Sequence, residues 1–174
     1  MGGALIEASV VPPDAGVPAS APGLLLVQNL RRGGIVDWTP PGGVIDEGES
    51  LLGGLTREVT EETGLEVGRW DGPVYEISAE APGLGWHLRV EVHRAVEVTG
   101  VLRVGADPDG IVVEAAVVPE PECEERLGRA HPWVREPLVE WMAQRWSGTR
   151  SYHYRVDGTD VRDLRVTRRD GPVG

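Results

Sequence analysis

Glu58, Glu61 and Glu62 crowd into one turn's reach in the stretch TREVTEETGL. Spacings of three and four residues put side chains on one helical face, where like charges repel by a few tenths of a kcal/mol per pair. Carboxylates gathered this way are the hard oxygen ligands that Mg2+ or Mn2+ prefers, and a divalent cation would remove the repulsion. Just upstream, Gly42-Gly43 allows a ligand close to the backbone. A solvated acidic face is the plainer alternative. Against it, the carboxylates adjoin the apolar stripe of Leu52, Leu55 and Val59 rather than oppose it.

The elements that must position these groups are marked in the same stretch. Ser50 is a suitable N-cap and Gly64-Leu65 a left-handed C-cap, so the helix is predicted over residues 51–63. Gly53 and Gly54 sit inside it, each costing about 1 kcal/mol relative to alanine, which predicts a tight backbone contact there. Strands are predicted at ALIEASVV, GLLLVQNL, near GGVI, and at PVYEISAE, WHLRVEVHRAVEV and GIVVEAAVV. Residues 12–23 read as a loop. A second helix is predicted over PWVREPLVEWMAQRW, with Pro137 kinking rather than breaking it, and the tail reads as a hairpin turning at Asp157-Gly158. Two helices with a mixed sheet give an α/β fold.

Composition removes several classes. At 174 residues the chain suits one main domain able to bury a core without disulfides or a structural metal. The single cysteine, Cys123, can form no intramolecular bridge, which points to a reducing, cytoplasmic setting. A net charge of −11 disfavours a nucleic acid polymer or an anionic membrane surface as partner, while leaving room for a small phosphorylated substrate carried in with a cation. No segment reads as a signal peptide or as a bilayer span.

Gly43, five residues, Glu49, seven residues and then REVTEETGL from Arg57 to Leu65 resemble the Nudix box at every specified position. The resemblance implies a Nudix-like α/β/α sandwich over residues 1–150; residues 151–174 lie outside it and read as a C-terminal hairpin extension. It further implies a metal-dependent hydrolase that cleaves the pyrophosphate linkage of a nucleoside diphosphate joined to another group, with Mg2+ or Mn2+ as cofactor. On this resemblance Glu58, Glu61 and Glu62 ligate metal or activate water, Arg57 pairs with Glu49, and Gly43 shapes the loop. A non-catalytic nucleotide-sensing module on the same fold is the alternative, although such modules are expected to lose box carboxylates and all four are present here. The oligomeric state stays open, a homodimer included.

Outside the box, Trp38, Trp86, Tyr152 and Tyr154 could stack a base, with Trp38 best placed because it precedes Gly42-Gly43. Arg31 and Arg32 could hold a phosphate or sugar, but RRGG also reads as an exposed turn. His131 reads as a helix-entry residue. Cys123 lies in an acidic stretch that should raise its pKa and keep it unreactive. Asp107 and Asp109, ahead of Glu114, are candidates for a general base drawn from a loop. Substrate identity is not written in these residues.

Overall fold

The computed structural model describes residues 1–12, 22–104, 110–160 and 163–169. The strands are β1 (Gly2–Leu5), β2 (Gly23–Leu30), β3 (Val36–Thr39), β4 (Leu65–Ala81), β5 (Trp86–Gly100), β6 (Val112–Pro119), β7 (Arg150–Asp157) and β8 (Arg165–Arg168). The helices are α1 (Leu51–Thr63), α2 (Glu120–Arg126) and α3 (Pro132–Gln144). A five-stranded mixed sheet runs β1-β5-β4-β7-β8, and a three-stranded antiparallel sheet runs β3-β2-β6. No helix among the described residues is long and apolar enough to cross a membrane.

Strand β2 ties the two halves of the core together. Its run LLLV is buried on both faces: Leu24 and Leu26 join the cluster that contains α3, whereas Leu25 joins the one that contains Leu55 and Val59 of α1. A strand covered on both faces has no polar side to alternate with, which is why the run is continuously apolar.

Several sequence expectations change at this level. The strand expected near GGVI is a loop, and the strand lies earlier, at β3. Pro40 and Pro41 carry no N–H and Gly42 has φ 140°, so the chain there follows β1 without becoming a strand of its own. ALIEASVV is a strand only to Leu5; Glu7 makes a single bridge to Leu24, and Ala8–Val10 form a 3-10 turn. A third helix, α2, forms in EPECEER, with proline in its first turn. Leu52 does not belong to the buried stripe and is exposed, leaving Leu55 and Val59 to dock α1.

Helix α3 continues past Pro137. The C-terminal strands β7 and β8 pair antiparallel, Asp157 opposite Arg165, through a connection longer than the tight turn expected at Asp157-Gly158. On its other side β7 runs parallel to β4, with Tyr152 beside Ile77 and Tyr154 beside Ala79. Its inward residues Tyr152, Tyr154 and Val156 are buried in the α3 cluster.

Candidate active site

Helix α1 starts where its cap dictates: the Ser50 hydroxyl accepts a hydrogen bond from the Gly53 N–H at 3.1 Å. It stops at Gly64, which takes the left-handed conformation with φ 71° and donates to the Thr60 carbonyl at 2.8 Å. Facing it, the loop of residues 40–50 lies along β1, with Gly2 N donating to Gly43 O at 3.0 Å and Ala4 N to Pro41 O at 2.8 Å.

Glycines let these pieces touch. A Cβ on Gly42 would overlap the Gly2 carbonyl, and one on Gly43 would overlap the Glu58 carboxylate. Within the helix, a Cβ on Gly54 would lie 2.8 Å from Glu49 Oε2 and 3.0 Å from Ile45 Cδ1, so this glycine admits the loop against α1. Gly53 has a weaker reason, since its Cβ would meet only the capping Ser50 Oγ.

The centre of the site is a single guanidinium. Arg57 donates from Nε to Glu49 Oε1 at 3.0 Å and from Nη2 to Glu49 Oε2 at 2.9 Å and the Val44 carbonyl at 3.3 Å. Its Nη1 donates to Glu58 Oε1 at 2.9 Å and Glu61 Oε2 at 3.1 Å. Five contacts match its five N–H donors. Bonding to Glu49 and then Glu58 pushes the arginine pKa further up, while Arg57 and the Asp46 N–H hold the Glu49 carboxyl below its ordinary range. Arg57 therefore offsets part of the crowding on α1. Glu62 stands apart, largely buried, its Oε2 accepting from the Gly42 N–H at 2.8 Å.

With the side chains so arranged, no three His, Cys, Asp or Glu groups among the described residues converge tightly enough to hold a metal ion. The donor set nonetheless fits one. Glu58 and Glu61 both reach one cationic nitrogen, so both can reach one small cation, and carboxylate oxygens suit Mg2+ or Mn2+. Sequence reasoning missed two supports of this arrangement, the Val44 carbonyl and the Asp46 N–H, which donates to Glu49 Oε2 at 3.1 Å. The three-residue spacing of Asp46 and Glu49 is the only signal that could have found the second.

The other candidates divide. Trp38 is corrected as a stacking surface: it is 6% exposed, packs in the α3 cluster and carries the Arg126 guanidinium 5.0 Å over its ring. Tyr152 and Tyr154 are likewise buried, donating to Glu140 and Glu136 at 3.0 Å each. Trp86 remains partly exposed, edge-on to Trp133, on which His131 stacks at 4.1 Å. Arg31 is held by Asp37 through Nε at 3.1 and 3.2 Å, and Arg32 lies in the exposed turn between β2 and β3. Burial, more than the neighbouring Glu122, pushes the Cys123 thiol up to about 11. Asp107 and Asp109 lie outside the described residues. Two surface hollows, of about 580 and 500 Å³, contain none of the box residues.

A family model described as NUDIX domain matches residues 11–142. The 8-oxo-dGDP phosphatase NUDT18 of Homo sapiens is 32% identical over 121 residues, covering 70% of this chain and 35% of that protein. Its Mus musculus counterpart is 32% identical over 108 residues, covering 62% of this chain and 31% of its own. The chain thus spans about a third of the length of these curated relatives. Among solved structures, the MutT protein from Bacillus halodurans superposes with a TM-score of 0.58 at 20% identity, covering 95% of both chains. The NUDIX domain of Shewanella oneidensis NrtR, complexed with ADP ribose, gives 0.61 at 16% identity, covering 83% of this chain and 85% of that one. At these identities the structures speak to the fold alone.

Proposed function

The chain belongs to the Nudix family, hydrolases of small nucleotide substrates, and from that premise we propose that it cleaves the pyrophosphate linkage of a nucleoside diphosphate compound in Mg2+ or Mn2+. The observation that supports this reading is the joint placement of the box: Glu49, Glu58 and Glu61 on the Arg57 guanidinium, with Glu62 bonded to the Gly42 backbone. Glu58, Glu61 and Glu62 would hold the cation. When bound, it would neutralise phosphate oxygens, lower the pKa of a water and stabilise the leaving phosphate.

The chain's own groups do the positioning. Arg57 and Glu49 fasten the loop of residues 40–50 to α1, and the bare backbone at Gly42 and Gly43 lets the loop close against β1 and the Glu58 carboxylate. Arg31 follows the end of β2, paired with Asp37 and with its head partly exposed, and is the candidate to meet a phosphate or sugar. Asp107 and Asp109 remain the candidates for a base delivered from a loop. The likeness to 8-oxo-dGDP phosphatases puts oxidised purine nucleoside diphosphates first among substrates, with nucleoside triphosphates, nucleotide sugars and dinucleotides next. The lone buried Cys123 and the net charge of −11 fit a reducing cytoplasm and a small substrate rather than a polymer.

The test is a Mg2+-dependent screen of these compounds, with release of a nucleoside monophosphate from at least one expected. Binding without turnover of any of them, in either metal, would make the protein a nucleotide-sensing module. In the same assay, Asp107→Asn and Asp109→Asn both retaining full kcat would remove that loop as the source of the base.

A further inference from the structure

Among the described residues the two sheets have four edges, at β1, β8, β3 and β6, and three of them are blunted. Strand β1 spends outward groups on the loop beside it, Gly2 N donating to Gly43 O and Ala4 N to Pro41 O. Strand β3 is four residues long and runs into Pro40-Pro41, and β8 is four residues long with arginine at both ends. Shortness, proline and charge are the devices that keep sheet edges from pairing with other chains. Strand β6 lacks them through its middle: it runs eight residues, VVEAAVVP, with Glu114 as its one charge and Pro119 only at its end.

The register shows which groups of β6 face away from the sheet. Leu24, Leu26 and Gln28 stand opposite Val118, Ala116 and Glu114. The Leu25 N–H goes to the Ile6 carbonyl, on the side of β2 away from β6, and just past the strand Glu120 N donates to Pro22 O at 3.1 Å. Alternate residues of an antiparallel pair turn both N–H and C=O to the same side, so Ala116 and Val118 bond to β2 while Ala115 and Val117 face outward. Among the described residues neither makes a hydrogen bond on that side. Val113 is the extra residue of a bulge and Pro119 has no N–H, which leaves Ala115 and Val117 as the usable edge.

We propose that β6 pairs antiparallel with β6 of a second copy of this chain, with Ala116 opposite Ala116 on the two-fold axis. That register sets Ala115 opposite Val117 on both sides of the axis and uses the outward N–H and C=O of both residues in both chains. Centring on Ala115 would set Val117 against the bulged Val113, and centring on Val117 would set Ala115 against Pro119. With Ala116 on the axis, Glu114 faces Val118, so no like charges are opposed, and a methyl group occupies the position where the backbones come within about 4.5 Å. The strand is thus its own complement in hydrogen bonding, size and charge, which makes a second copy the occupant. The axis stands perpendicular to the sheet, so the two three-stranded sheets join into one. Ala115 and Val117 pack on the α1 side, which places both α1 helices on the same face of the joined sheet. None of this depends on the metal site.

Sedimentation equilibrium over a range of protein concentrations tests this. The average mass is expected to climb from 18.8 kDa toward twice that value. Each chain carries a net charge of −11, so added salt should strengthen the association by screening repulsion, the reverse of an interface built on ion pairs. Ala115→Pro removes an outward N–H that the chain's own ladder does not use, and is expected to keep the wild-type circular dichroism spectrum while staying at the mass of one chain. Because the variant can fail to fold, amide hydrogen exchange of wild type supplies a second reading. The Ala115 and Val117 amides should slow at least about tenfold as the dimer forms, while those of Ala116 and Val118 are protected at every concentration. A mass fixed at one chain throughout leaves the edge to some other extended segment and overturns the proposal. So does a folded Ala115→Pro that still dimerises, or a dimer in which the Ala115 and Val117 amides exchange as fast as in the monomer.

Discussion

Arg168 and Arg57 each gather two or more glutamates, and they do so in different settings. Arg168 reaches Glu140 and Glu136 of α3, lies 4.7 Å over the Tyr152 ring, and shares those carboxylates with the Tyr152 and Tyr154 hydroxyls. Both tyrosines are buried, so the charged groups there finish a packed seam between α3, β7 and β8. Arg57, on α1, gathers Glu49, Glu58 and Glu61 without an aromatic ring, against a loop whose close approach depends on glycines. One cluster finishes a packed seam on the core; the other ties a loop to the part of α1 that carries the box carboxylates.

The largest effect that could break this contrast is in catalysis. Glu62→Gln is expected to lower kcat/KM at least roughly a hundredfold, about 2.7 kcal/mol of transition-state stabilisation, while the metal-free fold melts at or slightly above the wild-type temperature. Saturating Mg2+ should then raise the melting temperature of wild type more than that of the variant. A variant that melts lower in EDTA yet turns over normally would make Glu62 a structural residue like Glu140.

An intermediate effect is expected at the other cluster. Tyr152→Phe removes the donor to Glu140 and should cost on the order of 1 kcal/mol in chemical denaturation, with kcat/KM unchanged. Loss of activity without loss of stability would mean that the seam communicates with the site.

The smallest effect sharpens the comparison through pH. Arg57 holds the Glu49 carboxyl below its ordinary value of 4.5, so the folded state favours the charged form. That contribution is fully present above the unfolded-state pKa and is lost as pH falls through the depressed folded value. The melting difference between wild type and Glu49→Gln should therefore stay constant from neutral pH down to about 4.5 and close below it. A gap already closing at pH 6 would show that the Arg57 pairing does not govern this carboxylate.

How much of this could be read in advance depended on how local each signal was. Helix α1 runs over the predicted residues because both of its ends are set by the residues next to it, the Ser50 hydroxyl and the left-handed backbone of Gly64. The Gly54 contact was foreseeable as a cost in the helix that needed a reason, though not as the seat of Ile45 and Glu49. Helix α2 hid because EPECEER is short and acidic with an early proline; buried Cys123 anchors it, which only the fold reveals. Trp38 was misjudged for a related reason: proximity in sequence to Gly42 says where the backbone goes, while pairing of β3 with β2 decides which way the ring turns. Arg57 was expected to pair with Glu49 alone, and its reach to Glu58 and Glu61 required the rotamers that the loop imposes.

Strand β7 sets a practical boundary. The residues recognisable as Nudix end at 142, yet the sheet continues past that point with a strand inserted between β4 and β8. A chain trimmed to the recognisable segment would turn β4 into an open edge and bare the side of Tyr75 and Ile77 that Tyr152 and Tyr154 now cover, inviting a second molecule to pair there. For expression and crystallisation, the unit to keep is the one the sheet closes, not the one the family pattern spans.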